Sequence, residues 1–278
     1  YEIRPRDWEF RRVLFRSSFD RERKVLRREE GGGAINPNDR VALKRALELA
    51  KPGDGVTALS MGPPGAEDSL REALALGVDR AVLLSDRRMA EADTLATAYT
   101  LSRGIARLGG ADLILCGSRT LDSETGHVGP QLAEFLGLPF LSYVGDLQVE
   151  GTTIRAERIV DNYIEEIEAA LPAVISISHK ISENIYPSLG GLNRAFEGGE
   201  VLCWNIEEIG ADPMRTGLPG SGTVVRRILG PEKQRQALII NDDGTEETVK
   251  ALLEGLKDRN VRLRDRVMSG RKGEGFDL

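Results

Sequence analysis

Hydroxyls, glycines and acidic side chains crowd between two apolar runs at residues 113–136, in an order that suits anion binding rather than acid–base work. Leu113–Cys116 is a short apolar run of the kind a buried parallel strand shows. A polar loop, 117–127, follows it, and then an amphipathic segment, Val128–Leu136, that stops at Gly137 with Pro139 just beyond. Strand, loop and helix start in that order are where open α/β sheets bind ligands, because the first N–H groups of a helix have no partner within it. The loop has no Walker pattern and no G-x-G-x-x-G, and equally polar loops occur in α/β proteins that bind nothing there. Gly126 and Gly129 leave room for a close backbone approach. Carboxylates repel phosphate, so Asp122 and Glu124 are read as caps and loop clamps. A second candidate is Asp93–Thr97. Asp93 can cap a helix, and Thr94 and Thr97 share one face of its first turn, where hydroxyls beside free N–H groups can hold a diphosphate. Thr94 could equally do no more than support the cap. Other chemistries lack their residues. No Ser/His/Asp set assembles around His127 or His179, and Cys116 and Cys203 stand far apart without a C-x-x-C, so zinc and iron–sulfur centres have no ligands. Cys116 reads as a small buried hydrophobe.

The elements that must hold these residues follow a β-α-β-α-β rhythm. Asn36 is an N-cap ahead of Pro37, and the helix it opens has Val41, Leu43, Ala46, Leu47 and Ala50 on one face. Val56–Met61 is a strand whose end, Met61-Gly62, either lets backbone approach a ligand or makes the tight turn that Pro63-Pro64 demands. Ala66–Leu76 is a helix capped by Gly77, and Arg80–Ser85 is a strand. The helix after Asp93 has Leu95, Tyr99, Ser102 and Ile105 inward and ends at Gly109-Gly110. Short links throughout predict a doubly wound parallel sheet. Residues 147–171 read as a hairpin turning at Glu150-Gly151 and an acidic strand, leading into the apolar strand Ala173–Ile177. Gly and Pro density at 210–222 suggests an extended arm that lies on another subunit, then an amphipathic helix, Thr245–Leu256, and a tail whose composition is that of disorder. Hydrophobic content of 40% supports a real core, and a net charge of −6 argues against a nucleic-acid partner. No run approaches the ~20 apolar residues of a membrane span, which gives a cytoplasmic expectation.

The run DSETGHVGPQLAEFLGLP resembles the nucleotide loop of the electron transfer flavoprotein β subunit family. INPNDRVALKRALEL, VTALSMGPPGAEDSLREALALGVDRAVLLSD and ADTLATAYTLS follow the same family's order and spacing, and the resemblance spans about residues 19–256. It implies a Rossmann-like, adenine-nucleotide-binding fold in which Asp122, Thr125 and the backbone of Gly126, His127, Val128, Gly129, Pro130 and Gln131 cradle the ADP part of a cofactor. Asn36, Met61, Gly62, Asp93, Thr94 and Thr97 complete the cofactor-binding set, and no catalytic residue or metal ligand is implied. Ser118 stands where the family usually has a basic residue, Arg119 and His127 where Gln is common, and Ala98 where a Ser often follows the second Thr.

Three functional readings follow. In the first, the chain is a β subunit of the electron-bifurcating branch, binding FAD and NADH and passing electrons to the flavin of an α subunit, with redox activity in the heterodimer or a larger complex. The ADT helix segment, the AFEGGEVLCW stretch and the missing Lys-rich segment after Leu192 resemble that branch. In the second, a housekeeping form, AMP is a structural ligand here and a single FAD is held mainly by the α subunit. The third is a stress-type adenine-nucleotide-binding module without redox role. The family also implies a recognition loop at 179–192 that docks a dehydrogenase or reductase, with Ile181 at its tip and Tyr186 beside it; Ser-Glu-Asn-Ile-Tyr replaces the usual Asn-Glu-Pro-Arg-Tyr. The expected organisation is a nucleotide-binding domain at 19–198 and, at 199–278, an arm and helix packing on the partner subunit. Residues 1–18 carry five Arg and no apolar strand, where the family begins with a central strand and a loop beside the nucleotide. They read as foreign to the fold, a hypothesis that sequencing the source gene across the first twenty codons checks: an unbroken native frame there sinks it.

Overall fold

The computed structural model describes residues 18–20, 25–27, 34–120, 123–161, 163–178, 185–225 and 245–258. Strands β1 (Ser18–Asp20) and β2 (Val25–Arg27) form a small antiparallel hairpin. Helix α1 (Pro37–Leu49) starts at the proline that pre-sets its first φ and buries Asn38 and Ala42. Strand β3 (Thr57–Met61) turns through Gly62 into α2 (Glu67–Leu76), and β4 (Arg80–Leu84) leads to α3 (Thr94–Leu108). Gly77 and Gly109 end these helices at φ +121° and +93°, a backbone that would strain any residue with a Cβ. Strand β5 (Leu113–Gly117) precedes α4 (Val128–Leu136). Then β6 (Phe140–Glu150), β7 (Thr153–Val160) and β8 (Tyr163–Ala170) form an antiparallel meander. Strand β9 (Ala173–Ile177) enters through a cis Leu171–Pro172 bond. Helix α5 (Leu189–Asn193) runs into a π-turn at Arg194–Gly198, and β10 (Val201–Trp204) follows.

The parallel strands fall into two groups. One is ordered β10-β4-β3; the other is ordered β5-β9-β6-β7-β8, with β5, β9 and β6 parallel and the rest antiparallel. Helices α3 and α4 join them, since Leu59 of β3 and Ile114 of β5 pack on one buried cluster of Ala98, Ile105 and Leu132. Strands β4 and β9, with neighbours on both sides, are buried almost throughout; β3 and β5, each with one neighbour among the described residues, are half-buried. Of the segment 1–18, where the first strand is expected to be missing, only Ser18 is described, as the start of β1; the rest lies outside the described residues. Parallel strands with intervening helices are nonetheless the α/β architecture the sequence predicted.

Two expectations change. Leu95 is 40% exposed, and α3 turns Ala96, Ala98, Tyr99, Thr100, Ser102, Gly104 and Ile105 inward instead. Gly104 lies on this buried face, where a Cβ would stand 2.9 Å from a Leu84 methyl, so the helix packs closely on the side chains of β4 there. The chain past Gly198 also rejoins the core before any arm begins. Strand β10 pairs with β4, and Ile206, Ile209 and Ala211 are buried with Val82, Leu84 and Tyr99. The chain divides after residue 228. In the second unit, α6 (Thr245–Asp258) is an amphipathic helix with Glu246 and Glu247 in its first turn. No helix among the described residues is long and apolar enough to cross a membrane.

Candidate functional site

Strand β5 ends where α1 begins, and polar bonds lock the two. The Gly117 N–H donates to Asp39 Oδ1 (2.7 Å), and Asn36 Nδ2 donates to the other oxygen of that carboxylate (2.7 Å). Asn36 Nδ2 (3.0 Å) and Asn38 Nδ2 (2.7 Å) both donate to the Arg119 carbonyl. Asn36 occupies the N-cap position but its side chain does not cap; Asp39 and the distant Arg119 carbonyl have taken the amide, and its Oδ1 is buried with no partner among the described residues. Gly117 permits this closeness, because a Cβ on it would lie 2.6 Å from the Asn38 carbonyl carbon. Burial pushes the Asp39 carboxyl up, opposed by the Asn36 and Gly117 donors, and burial with the Asp39 charge raises the Cys116 thiol to about 12. Cys116 is therefore a packed, inert thiol, part-buried and free.

Beyond Arg119 the loop turns with Glu124 N–H donating to the Thr120 carbonyl (3.2 Å), and Glu124 (φ +51°) and Gly126 (φ +65°) both take left-handed backbone. Ser118 is buried while Arg119, Glu124, Thr125 and His127 are exposed. His127 stands at the N-cap of α4 and supplies no capping bond. Pro130 brings no N–H, and the Gln131 N–H is spent on the His127 carbonyl (3.1 Å). Among the described residues the Val128 and Gly129 N–H groups have no acceptor. Gln131 Oε1 is, like Asn36 Oδ1, buried without a partner. Gly129 serves packing rather than an open approach: a Cβ there would stand 3.0 Å from the Phe140 ring and 3.1 Å from the Cys116 sulfur. Gly62 likewise answers its own turn, where a Cβ would meet that of Ala66 at 2.9 Å, and Met61 ends β3 half-buried.

The start of α3 is finished differently. Asp93 Oδ1 accepts from the Leu95 (2.9 Å) and Ala96 (3.1 Å) N–H groups, and Oδ2 accepts from both the N–H (2.9 Å) and the hydroxyl (3.0 Å) of Thr223. The Asp93 N–H donates to Ser221 Oγ (2.8 Å). Burial raises the Asp93 carboxyl, but the donors from Ala96, Thr223 and Leu95 more than offset it and hold it below its ordinary value. Nearby, the Arg215 guanidinium lies 4.2 Å from the Tyr99 ring, and the Tyr99 hydroxyl accepts from the Asp212 N–H (3.0 Å). Thr94 and Thr97 remain half-buried on this first turn.

The structure thus brings Asn36, Gly126, His127, Val128, Gly129 and Gln131 to the ends of β5 and its loop, with Asn38 and Asp39 as partners that sequence reasoning missed. It sets Asp93, Thr94 and Thr97 at a second helix start. Asp122, Ile181 and His179 lie outside the described residues. Tyr186 is exposed and lines an open cleft with Lys44, Leu47, Glu48, Leu76 and Ile185. Among the described residues no group of three His, Cys, Asp or Glu could hold a metal ion.

Comparison with known proteins agrees on one description. The model of the electron transfer flavoprotein domain matches residues 24–195. The electron transfer flavoprotein subunit beta of Thermoanaerobacterium thermosaccharolyticum is 38% identical over 239 residues, 86% of this chain and 91% of that protein. The caffeyl-CoA reductase-Etf complex subunit CarD of Acetobacterium woodii is 36% identical over 84% of this chain and 90% of its own length. Protein FixA of Azorhizobium caulinodans is 36% identical, with 86% and 88% covered.

Proposed function

We propose a function from one premise: this chain belongs to the electron transfer flavoprotein family, among its β subunits. On that premise the β5–α4 loop holds the diphosphate of FAD, and the chain passes electrons between NADH or a dehydrogenase and the flavin of an α subunit. The observation that carries this reading is the uncapped start of α4, with donors at Val128 and Gly129 and, among the described residues, no acidic side chain bound to them. The residues fit the group. Asn36 Oδ1 and Gln131 Oε1 are buried acceptors that want donors, such as ribose hydroxyls or an adenine amine. Asp39 and Asn38 hold the loop's backbone in place. When bound, FAD would supply the hydride and single-electron chemistry; the protein's share is to bind, orient and exclude water.

A second reading, AMP in place of FAD, is favoured by the α3 start, whose Leu95 and Ala96 N–H groups already serve Asp93. A ligand needing only the α4 start would leave that arrangement undisturbed. The name of the relative from a caffeyl-CoA reductase complex supports a CoA-ester reductase as the class of partner, which would be reached through the segment around Tyr186.

Co-expression with the neighbouring α-subunit gene, purification of the pair and a count of nucleotides released on denaturation test this. Two FAD and no AMP support the FAD-binding form. One FAD with one AMP supports the structural-AMP form. A soluble pair without adenine nucleotide overturns both.

A further inference from the structure

Tyr143 sits in β6 with φ +55°, a left-handed backbone that an aromatic residue rarely adopts. It falls where the β6–β9 register slips between Leu141 and Val144, so the strand bulges at this residue. Leu141 and Val144, the paired residues on either side of the slip, are buried, whereas Tyr143 is 42% exposed, so core burial does not compensate the backbone. The conformation is held from behind: the Tyr143 N–H donates to the hydroxyl of buried Ser176 (3.0 Å). The bulge aims the ring at the loop after β5. A Cβ on Gly126 would lie 3.6 Å from the Tyr143 hydroxyl and 3.1 Å from the Ser118 carbonyl oxygen. Gly126 is one residue before the uncapped N-cap position of α4. The phenol makes no hydrogen bond with the described residues, although it is a donor and an acceptor.

A bulge that merely ended the β6–β9 pairing would be easiest with Gly or Asn. An aromatic ring kept in a strained backbone, exposed, beside an anion-ready loop, is the pattern of a residue held for a ligand. We propose that Tyr143 is a ligand-contacting residue of the β5–α4 site, its ring and hydroxyl forming the wall of the Gly126 turn against a bound adenine nucleotide. The proposal rests on the nucleotide reading of that loop and adds a residue to it.

The test uses the full chain, with AMP titrated by calorimetry and FAD by fluorescence quenching, for wild type, Tyr143→Gly and Tyr143→Phe. Tyr143→Gly relieves the backbone, so its melting temperature without nucleotide stays level or rises by up to roughly 3 °C. Its affinity falls by roughly tenfold or more as the ring contact goes. Tyr143→Phe keeps the ring and loses the hydroxyl, weakening binding roughly threefold to tenfold. A Gly variant that binds like wild type overturns the proposal, and so does one that melts several degrees lower with unchanged affinity, the mark of a structural role. A wild-type chain that binds neither AMP nor FAD overturns the nucleotide reading itself, and the Tyr143 assignment with it.

Discussion

Helices α3 and α4 each follow a parallel strand of the same α/β unit, yet their first turns are completed in opposite ways. At α3 a carboxylate of the chain's own, Asp93, takes the free N–H groups and then reaches Thr223, more than a hundred residues further on. At α4 the N-cap residue is His127, whose side chain takes none. One helix start is a joint and the other is a socket. At α3 the protein supplies the negative charge itself; at α4 no described side chain does, which is why the anion site is proposed at the second.

Both regions depend on a glycine that admits no Cβ. At Gly117 the obstacle is the Asn38 backbone at 2.6 Å; at Gly217 (φ +53°) it is the Arg88 carbonyl oxygen at 2.1 Å. Backbone cannot swing aside as a side chain can, so Gly117→Ala or Gly217→Ala is expected to destabilise by about 3 kcal/mol or more, read by denaturant unfolding. The two would differ in what else they disturb: Gly117→Ala distorts the socket and lowers nucleotide content, and Gly217→Ala frees the segment at 211–223 to proteolysis.

A sharper test makes α4 resemble α3. His127→Asp puts a capping carboxylate on the socket, which should stabilise the helix by about 0.5–1 kcal/mol. It should also weaken AMP binding at least tenfold, roughly 1.4 kcal/mol, because the donors are occupied and the charge repels phosphate. The reverse change, Asp93→Ala, opens the joint. It should cost about 1 kcal/mol and roughly 2–4 °C in melting temperature, with the nucleotide content of the purified chain unchanged.

The smallest effect expected is the response to acid. The Asp93 carboxyl lies below its ordinary value, so the stability it confers is complete above about pH 4 and is lost as pH falls through the folded value. The gap in melting temperature between wild type and Asp93→Asn should therefore narrow as the pH falls below about 4. Among the described residues the α4 start holds no such carboxylate, and His127→Asn should show no matching trend on acidification.

What the sequence could and could not reveal follows the same division. Alternating apolar runs and short links made the α/β order legible, and Asp93 as a cap needed only its neighbours. The side chain of Asn36 misled, because Asp39 and the Arg119 carbonyl compete for it, and the second of these is distant along the chain. The reach of Asp93 to Thr223 and the packing of Ile206 and Ile209 under a Gly/Pro-rich stretch depend on the same kind of long-range contact. Tyr143 was hidden for another reason: a bulge changes which way a residue faces without changing the alternation a strand shows in sequence. Gly129 looked like an opening for a ligand and is instead where Phe140 and Cys116 press against the helix.

The most direct measurement is amide hydrogen exchange on the full chain, with and without saturating AMP, followed at both helix starts in one experiment. Added protection at Gly126–Gly129, with Thr94–Thr97 unchanged, is the predicted result. Protection confined to Thr94–Thr97 would contradict the account, because the ligand would then have displaced the chain's own carboxylate rather than filled the open socket.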